Sequence, residues 1–218
     1  MTRIAVIGGT GNLGKAIARR LVKGGHDVNI GSRDAARAAA CAQEIGAAGG
    51  GENAAVAAGQ EVVIVAVPHA SQAATLAEIR DRVGSAVVVD TTVPLVPPKV
   101  MRVQLPAEGS AAMQARAALN PDTRLVTAFH NVAAHRLDHA DDVIECDVLC
   151  FFSDDVEGRN LVVGLCGDMG LRGLSGGALA NSAAAEALTS ILIYMNKTYG
   201  ADGAGIRFTG LVSAPPIP

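Results

Sequence analysis

A glycine cluster near the start of the chain has the residue types and spacing of a phosphate-binding loop. The segment IGGTGNLG contains the pattern G-x-G-x-x-G as Gly9, Gly11 and Gly14. In such a loop the first glycine allows a sharp turn, the second lets the backbone approach a pyrophosphate, and the third lets a helix pack closely on a strand. The motif is weak alone, but here it follows an apolar strand and opens an amphipathic helix. We predict dinucleotide binding, with a purely structural turn as the alternative.

The end of the second predicted strand distinguishes NADP from NAD. An NAD-specific protein usually carries an acidic residue there, which binds the ribose 2′-hydroxyl. This chain has Ser32 and Arg33 at that point, with Arg37 one helical turn later. A hydroxyl and two guanidinium groups at this spacing can converge on one phosphate, which arginine binds in bidentate fashion. We predict NADP; the alternatives are that the two arginines merely solvate a helix face and that Asp34 permits some NAD binding.

Loops after three later strands are expected to surround the reacting end of the cofactor. In an open α/β sheet the ligand lies across the carboxyl ends of the strands. His130 is a titratable group in this region and could orient a carboxamide or exchange a proton near neutral pH, with a structural histidine as an equal alternative. The loops concerned contain Pro68, His69 and Ala70, then Thr91, Thr92, Val93 and Pro94, and finally His130, Asn131 and Val132.

Other catalytic signatures are weak or missing from the sequence. His130, His135 and His139 raise the question of a metal site, but no HExxH motif or third ligand at a recognisable spacing accompanies them. There is no GxSxG elbow or Cys-His signature of a hydrolase. None of the four cysteines forms a CxxC pair, so we assign them to the core. We predict that no metal is bound and that the chemistry comes from a cofactor.

The elements that must position these residues alternate between short β-branched runs and alanine-rich helical runs. Runs such as VVIVAV and AVVVD are apolar without alternation, which is typical of strands covered on both faces. We predict an α/β fold, a Rossmann-type doubly wound, mostly parallel sheet with a small C-terminal helical part. The predicted strands are 3–7, 27–31, 61–67, 86–91, 125–129 and 147–152, and the predicted helices are 13–23, 34–45, 71–82 and 156–169.

Three regions follow from this pattern. Residues 1–170 are predicted to form the NADP-binding Rossmann domain, and residues 171–208 a C-terminal helical segment. A long helix is expected over 175–199, and because it is almost uncharged it must be buried, for example against a second copy of the protein. Residues 209–218 are predicted to be a disordered tail.

Composition excludes two classes of partner. The formal net charge of −3 provides no basic excess to neutralise a run of phosphates, so nucleic-acid binding is not expected. No run approaches the roughly 18 apolar residues that a membrane span needs, and no secretion signal is recognisable. We therefore expect a cytoplasmic protein whose partners are small-molecule cofactor substrates.

With these motifs identified, the chain resembles the coenzyme F420-dependent NADP oxidoreductases. The resemblance rests on GGTGNLGKAIARRL, GSR, VAVP, TTVPL, AFHNVAA and LANSAAAEALTSILIYMNKTYGADGAGIRF, and it extends up to Phe208. It implies a Rossmann domain with a small C-terminal helical part, commonly dimeric. The implied reaction is a reversible hydride transfer between NADP(H) and the deazaflavin F420, which is a co-substrate. The family often has Trp where this chain has His69, and Pro where it has Ala133.

The resemblance also implies which residues contact the two cofactors. Those expected at the pyrophosphate are Thr10, Gly11, Asn12 and Leu13, and those at the 2′-phosphate are Ser32, Arg33 and Arg37. Those expected near the rest of NADP are His69, Ala73, Val93 and Ala134. Those expected around the deazaflavin are Val93, His130, Val132, Ala187, Thr189 and Ala204.

Two other functions stay open at this point. The first is an NADP-dependent reductase of a small carbonyl or imine, which would need a group that protonates the product; Lys197 is the one obvious lysine late in the chain. The second is a regulatory protein that binds NADP without chemistry, since a Rossmann fold does not fix function.

Overall fold

The computed structural model describes residues 1–139, 144–152 and 155–211. Its strands are β1 (Arg3–Ile7), β2 (Asp27–Ser32), β3 (Gly49–Glu52), β4 (Val62–Val65), β5 (Val87–Asp90), β6 (Arg124–Thr127), β7 (Asp147–Phe152) and β8 (Arg172–Ala178). Its helices are α1 (Asn12–Lys23), α2 (Ala35–Ile45), α3 (Asn53–Ala57), α4 (His69–Ile79), α5 (Ala111–Ala118), α6 (Ala134–Asp138), α7 (Val156–Asp168) and α8 (Ser182–Tyr199), with a 3₁₀ turn at Leu179–Asn181.

All eight described strands form one sheet in the order β3-β2-β1-β4-β5-β6-β7-β8. The pairing is parallel except between β6 and β7, which are antiparallel. The order reverses between β1 and β4, so the loops after these two strands face the same crevice. This arrangement confirms the predicted doubly wound, mostly parallel α/β sheet.

Two apolar cores cover the two faces of the sheet. One packs the sheet against α1, α2, α6 and α7, and the other packs it against α3, α4 and α5. The central strands VVIV and VVVD are buried at every position. Burial on both faces explains why their sequences lack the alternation of a half-exposed strand.

The edge strand β3 is absent from the sequence-based prediction. Its sequence is GGGE, which has no β-branched residue. A Cβ on Gly50 would lie 2.3 Å from the carbonyl oxygen of Ala38, so glycine lets α2 approach the strand. The strand therefore exists because of close tertiary packing, which local propensity does not report.

The other edge strand, β8, corrects the predicted helix over 175–199. The helix starts at Ser182, after the 3₁₀ turn, and residues 175–178 pair with β7 as part of β8. A Cβ on Gly176 would lie 2.2 Å from the ring of Phe151, and Gly177 has a φ of +84°. Two adjacent glycines at these positions suit an irregular strand and oppose a helix. The short helices α3, α5 and α6 were also not predicted.

A buried arginine joins α1 to distant parts of the chain. Arg20 is 2% exposed. Its guanidinium donates to the carbonyl oxygens of Leu137 (2.7 Å), Met169 (2.9 Å), Arg136 (3.3 Å) and His139 (2.6 Å). These carbonyls lie at the carboxyl-terminal ends of α6 and α7, where a cation is favoured. Arg20 therefore fixes both helices to the helix that follows the glycine loop.

Three further predictions concern cysteines, metals and membranes. Cys41, Cys146, Cys150 and Cys166 are free and buried, as predicted for core residues. Among the described residues, no group of His, Cys, Asp or Glu is arranged to hold a metal ion. Within the same residues, no helix has both the length and the apolar character needed to cross a membrane. Residues 212–218 of the predicted tail lie outside the described part of the chain.

Candidate cofactor-binding site

The glycine loop makes its turn one residue earlier than predicted. Gly8, not Gly9, has a φ of +75°, a conformation that L side chains rarely adopt. A Cβ on Gly8 would also lie 2.5 Å from the carbonyl oxygen of Ala66. Gly9 is restricted by packing instead, since its Cβ would lie 2.7 Å from the oxygen of Val6. The sequence pattern located the loop correctly but missed Gly8.

The other two glycines have the expected surroundings. A Cβ on Gly14 would lie 2.6 Å from the oxygen of Gly8, so glycine lets α1 pack closely on the loop. Gly11 precedes α1 as its N-cap and offers no side chain to cap it. No acidic residue occupies the first turn either. The first N–H groups of α1, at Asn12 and Leu13, and the positive end of its dipole are therefore suited to bind an anion.

A cavity of about 250 Å³ lies beside this helix terminus. It runs from the glycine loop to the end of β2 and to the loop between β4 and α4. The cavity brings together residues predicted from separate motifs, including Thr10, Gly11, Ser32, Arg33, Arg37 and Pro68. The structure thus places Thr10 and Gly11, two of the four predicted pyrophosphate residues, around one space with all three predicted 2′-phosphate residues.

The positive charge at the end of β2 is not neutralised locally. Asp34 serves as the N-cap of α2: its carboxylate accepts from the Arg37 amide at 3.1 Å, and its own amide donates to the Ser32 hydroxyl at 3.2 Å. Arg33 and Arg37 are exposed, and among the described residues neither guanidinium has an ion-pair partner. Two unpaired guanidinium groups at a cavity wall favour a phosphate over a hydroxyl.

The loops expected at the reacting end of the cofactor lie at the carboxyl ends of β4, β5 and β6. We call this end of the site the ring end, and these loops the ring-end loops. Two of their hydroxyls are already engaged, since Thr91 donates to the oxygen of Val65 (3.1 Å) and Thr92 donates to Asp90 (2.7 Å). The ring of His69 lies 2.7 Å from the amide oxygen of Gln114 on α5. These bonds hold the loops to the sheet and to α5.

His130 is buried at this end, where its ring contacts that of Phe151 but its nitrogens have no hydrogen-bond partner among the described residues. It is 4% exposed. Burial lowers its pKa to about 4, so the ring is neutral at physiological pH. Proton exchange near neutral pH is therefore disfavoured, whereas a neutral imidazole can orient a ligand by hydrogen bonding. Phe129, just before it, has a φ of +67°, a strained value for a non-glycine residue.

The remaining predicted residues lie outside the cavity. Thr189 on α8 reaches the ring end, because its hydroxyl donates to the His130 carbonyl oxygen at 2.6 Å. Ala204 is fixed by a bond from its amide to Asn196 (2.6 Å). Ala73 is exposed on α4. The others not among the cavity-lining residues are Gly9, Asn12, Leu13, Gly14, His69, Val93, His130, Val132, Ala134 and Ala187.

A buried carboxyl that the sequence analysis missed lies behind the ring-end loops. Asp90 ends β5 and is 0% exposed. Gln72 on α4 donates to one of its oxygens at 2.6 Å, and Thr92 donates to the other at 2.7 Å. Burial raises the Asp90 pKa to about 7. The sequence signal was an acid directly after the apolar run VVV.

Comparison with known proteins is consistent with this geometry. Residues 3–94 match the family model described as NADP oxidoreductase, coenzyme F420-dependent. The F420-dependent NADP reductase of Methanothermobacter thermautotrophicus is 36% identical, over 96% of this chain and 95% of that protein. That of Methanothermobacter marburgensis is 35% identical, over 96% and 99%. A crystal structure from Arthrobacter sp. FB24 shares the fold with a TM-score of 0.84 at 23% identity, over 96% of this chain and 100% of that one.

Proposed function

We propose that this chain, which belongs to the family of F420-dependent NADP oxidoreductases, transfers a hydride reversibly between NADP(H) and the deazaflavin coenzyme F420. The relatives that carry this activity in their names align over nearly the whole chain. The main support for NADP as a substrate is that Arg33 and Arg37, whose guanidinium groups have no ion-pair partner among the described residues, line the cavity beside the glycine loop. The protein is accordingly an NADP-dependent oxidoreductase.

The phosphate end of the site fits NADP. In this proposal the first N–H groups of α1 and the loop around Gly11 hold the pyrophosphate, because no side chain caps that helix terminus. The 2′-phosphate is bound by Ser32, Arg33 and Arg37. The residues assigned to the pyrophosphate are Gly9, Thr10, Gly11, Asn12, Leu13 and Gly14.

In this proposal the ring end holds the nicotinamide and the deazaflavin stacked on one another. Neutral His130 offers ring nitrogens with no hydrogen-bond partner among the described residues, which can orient a bound ring. The two bound cofactors supply the donor and acceptor carbons, and the chain aligns them and excludes water. Residues assigned to the nicotinamide half are Pro68, His69, Ala73, Val93 and Ala134. Residues assigned to the deazaflavin are Val93, His130, Val132, Ala187, Thr189 and Ala204.

The organisation we propose is a cytoplasmic homodimer. Residues 1–170 form the NADP-binding domain, and residues 171–208 complete the deazaflavin site. The outer face of α8 exposes apolar side chains, with Ile191 50%, Tyr194 49% and Tyr199 70% exposed. A second copy packed on this face would bury them. Four free, buried thiols suit a reducing compartment.

The test combines turnover with two matched substitutions. The purified protein is mixed with NADPH and oxidised F420, and loss of the deazaflavin absorbance is followed. We expect rapid bleaching, and we expect Arg33→Ala and Arg37→Ala each to raise the KM for NADPH by about 10- to 100-fold, since each removes a charge-assisted hydrogen bond. Arg82→Ala, an exposed arginine outside the cavity, is the control.

Two results would contradict separate parts of the proposal, namely the 2′-phosphate site and the reduction of F420. A double variant that keeps its KM for NADPH within about twofold of wild type would refute the 2′-phosphate site. Tight NADPH binding without bleaching at any pH from roughly 5 to 9 would refute the deazaflavin half. The second result would redirect the search to small carbonyl or imine substrates, or to a protein that binds NADP without chemistry.

A further inference from the structure

Glu186 is a buried acid on α8 whose hydrogen bonds attach that helix to α5 and, through Ser182, to β6. It is 1% exposed. One carboxylate oxygen accepts from the backbone amide of Ala111 at 2.6 Å. The other accepts from the amide of Ala112 at 3.1 Å and from the hydroxyl of Ser182 at 2.9 Å. Every bond described for this side chain thus fixes its position within the fold.

These bonds make Glu186 the cap of a different helix. Ala111 and Ala112 are the first residues of α5, and the Ser110 hydroxyl caps the next amide, that of Met113, at 3.1 Å. A carboxylate at a helix N-terminus satisfies free amides and interacts favourably with the helix dipole. Because the cap lies 75 residues further along the chain than the first amide that it binds, it joins α8 to α5.

The bonds continue on both sides of Glu186 into one buried network. On one side, Ser182 accepts from the Thr127 hydroxyl at the end of β6 (2.9 Å). On the other, the Gln72 amide donates to the Ala111 carbonyl (3.0 Å) and to Asp90 at the end of β5 (2.6 Å). The network therefore connects α8 to the ends of β5 and β6, two of the three strands that lead into the ring-end loops.

We infer that Glu186 is a positioning residue for the second substrate. Its carboxylate fixes the first turns of α8, which carry Ala187 and Thr189, against the loop that Thr189 reaches through the His130 carbonyl. This inference rests on the proposed function for assigning Ala187 and Thr189 to the deazaflavin. The described residues that line the cavity beside the glycine loop include no member of the network, so we expect Glu186 to affect F420 binding far more than NADPH binding.

The test is Glu186→Gln. The amide places an NH₂ group where a carboxylate oxygen accepted a bond, so two donors face each other and α8 shifts from α5. We expect the KM for F420 to rise at least about tenfold and the Kd for NADPH in the binary complex to stay within about twofold. Glu157→Gln, an exposed glutamate in α7, is the matched control. An equal increase in the KM for F420 and in the Kd for NADPH, or no change in either constant, would overturn the inference.

Amide hydrogen exchange supplies a readout that does not depend on turnover. In Glu186→Gln we expect faster exchange at residues 111–112 and in the first turns of α8, with β1 and α1 unchanged. Unchanged exchange at those residues would overturn the positioning role even if the kinetics change. If the wild-type protein does not turn over F420, the proposed function fails, and the exchange experiment still decides whether Glu186 fixes α8.

A milder variant covers the case in which Glu186→Gln does not fold. Ser182→Ala removes the link between Glu186 and β6 and leaves the α5 cap in place. We expect it to change exchange and the KM for F420 in the same direction and by a smaller factor. Wild-type behaviour of Ser182→Ala in both measurements would contradict the inference.

Discussion

Replacing Asp90 with asparagine should change how the stability of the protein depends on pH. The wild-type carboxyl is fully buried, and its pKa is about 7 in the folded state against 3.8 for an ordinary aspartate. The folded state therefore holds a proton that the unfolded chain releases. This contribution to stability is fully present below pH 3.8 and is lost as the pH rises through about 7. Asparagine cannot ionise, so the variant lacks this pH dependence.

The magnitude follows from the two pKa values. The whole shift corresponds to about 4 kcal/mol, and about 1.4 kcal/mol of it is lost between roughly pH 6 and pH 8.5. Asparagine also fits the site, because its oxygen can accept from Gln72 and its NH₂ can donate to the Thr92 hydroxyl. Glu186 is a second buried acid whose charge raises the Asp90 pKa, and it is present in both proteins.

The measurement is urea unfolding of both proteins, without cofactors, at about pH 6, 7 and 8.5. We expect the stability of Asp90→Asn relative to wild type to rise by about 1.4 kcal/mol across that range. Exposed Asp122→Asn serves as the control and should give a constant difference. Groups that titrate in this range without interacting with Asp90 are common to the proteins and cancel. Parallel curves for wild type and Asp90→Asn would show that the carboxyl is ionised throughout, and the reasoning would be wrong.

Three further substitutions test separate parts of the structure. Gly14→Ala brings a Cβ to 2.6 Å from the Gly8 oxygen, so we expect the loop to shift and the Kd for NADPH, measured by fluorescence titration, to weaken at least about tenfold. Arg20→Met leaves four carbonyls without their guanidinium, and urea unfolding should show a loss of about 3 kcal/mol. Wild type should lose stability as the pH falls from 6.5 to about 4, because the histidine of the unfolded chain then binds a proton that the buried His130 does not. His130→Phe should lose less over that range, and thermal melts that fall equally would refute burial of a neutral ring.

Much of the fold and the phosphate end of the site could be predicted because their signals are local. The strands VVIV and VVVD are continuous apolar runs, and the glycine loop and the pair Ser32 and Arg33 occupy fixed places relative to β1 and β2. The edge strands β3 and β8 could not be predicted, because their glycines are explained by the neighbours α2 and Phe151. Local propensity describes neither contact.

The sequence predicted which loops form the ring end of the candidate site, but it did not predict the buried side chains that support those loops. The rule that ligands lie at the carboxyl ends of strands located the loops around His130. The network behind them joins Gln72, Asp90 and Glu186, which are far apart in sequence and are of types usually exposed. Their burial is a property of the assembled fold, so no spacing in the sequence indicated it.

The bonds from Arg20 to four distant carbonyl oxygens affect the order in which a newly synthesised chain can fold. The ribosome delivers this arginine 117 residues before Leu137 and 149 residues before Met169, whose carbonyls it binds. Until those residues have been synthesised, the guanidinium stays hydrated, and the face of α1 that carries Arg20 stays exposed to water. The N-terminal β-α-β unit therefore cannot form all of its Arg20 contacts until residue 169 has been synthesised, so these contacts form late in folding.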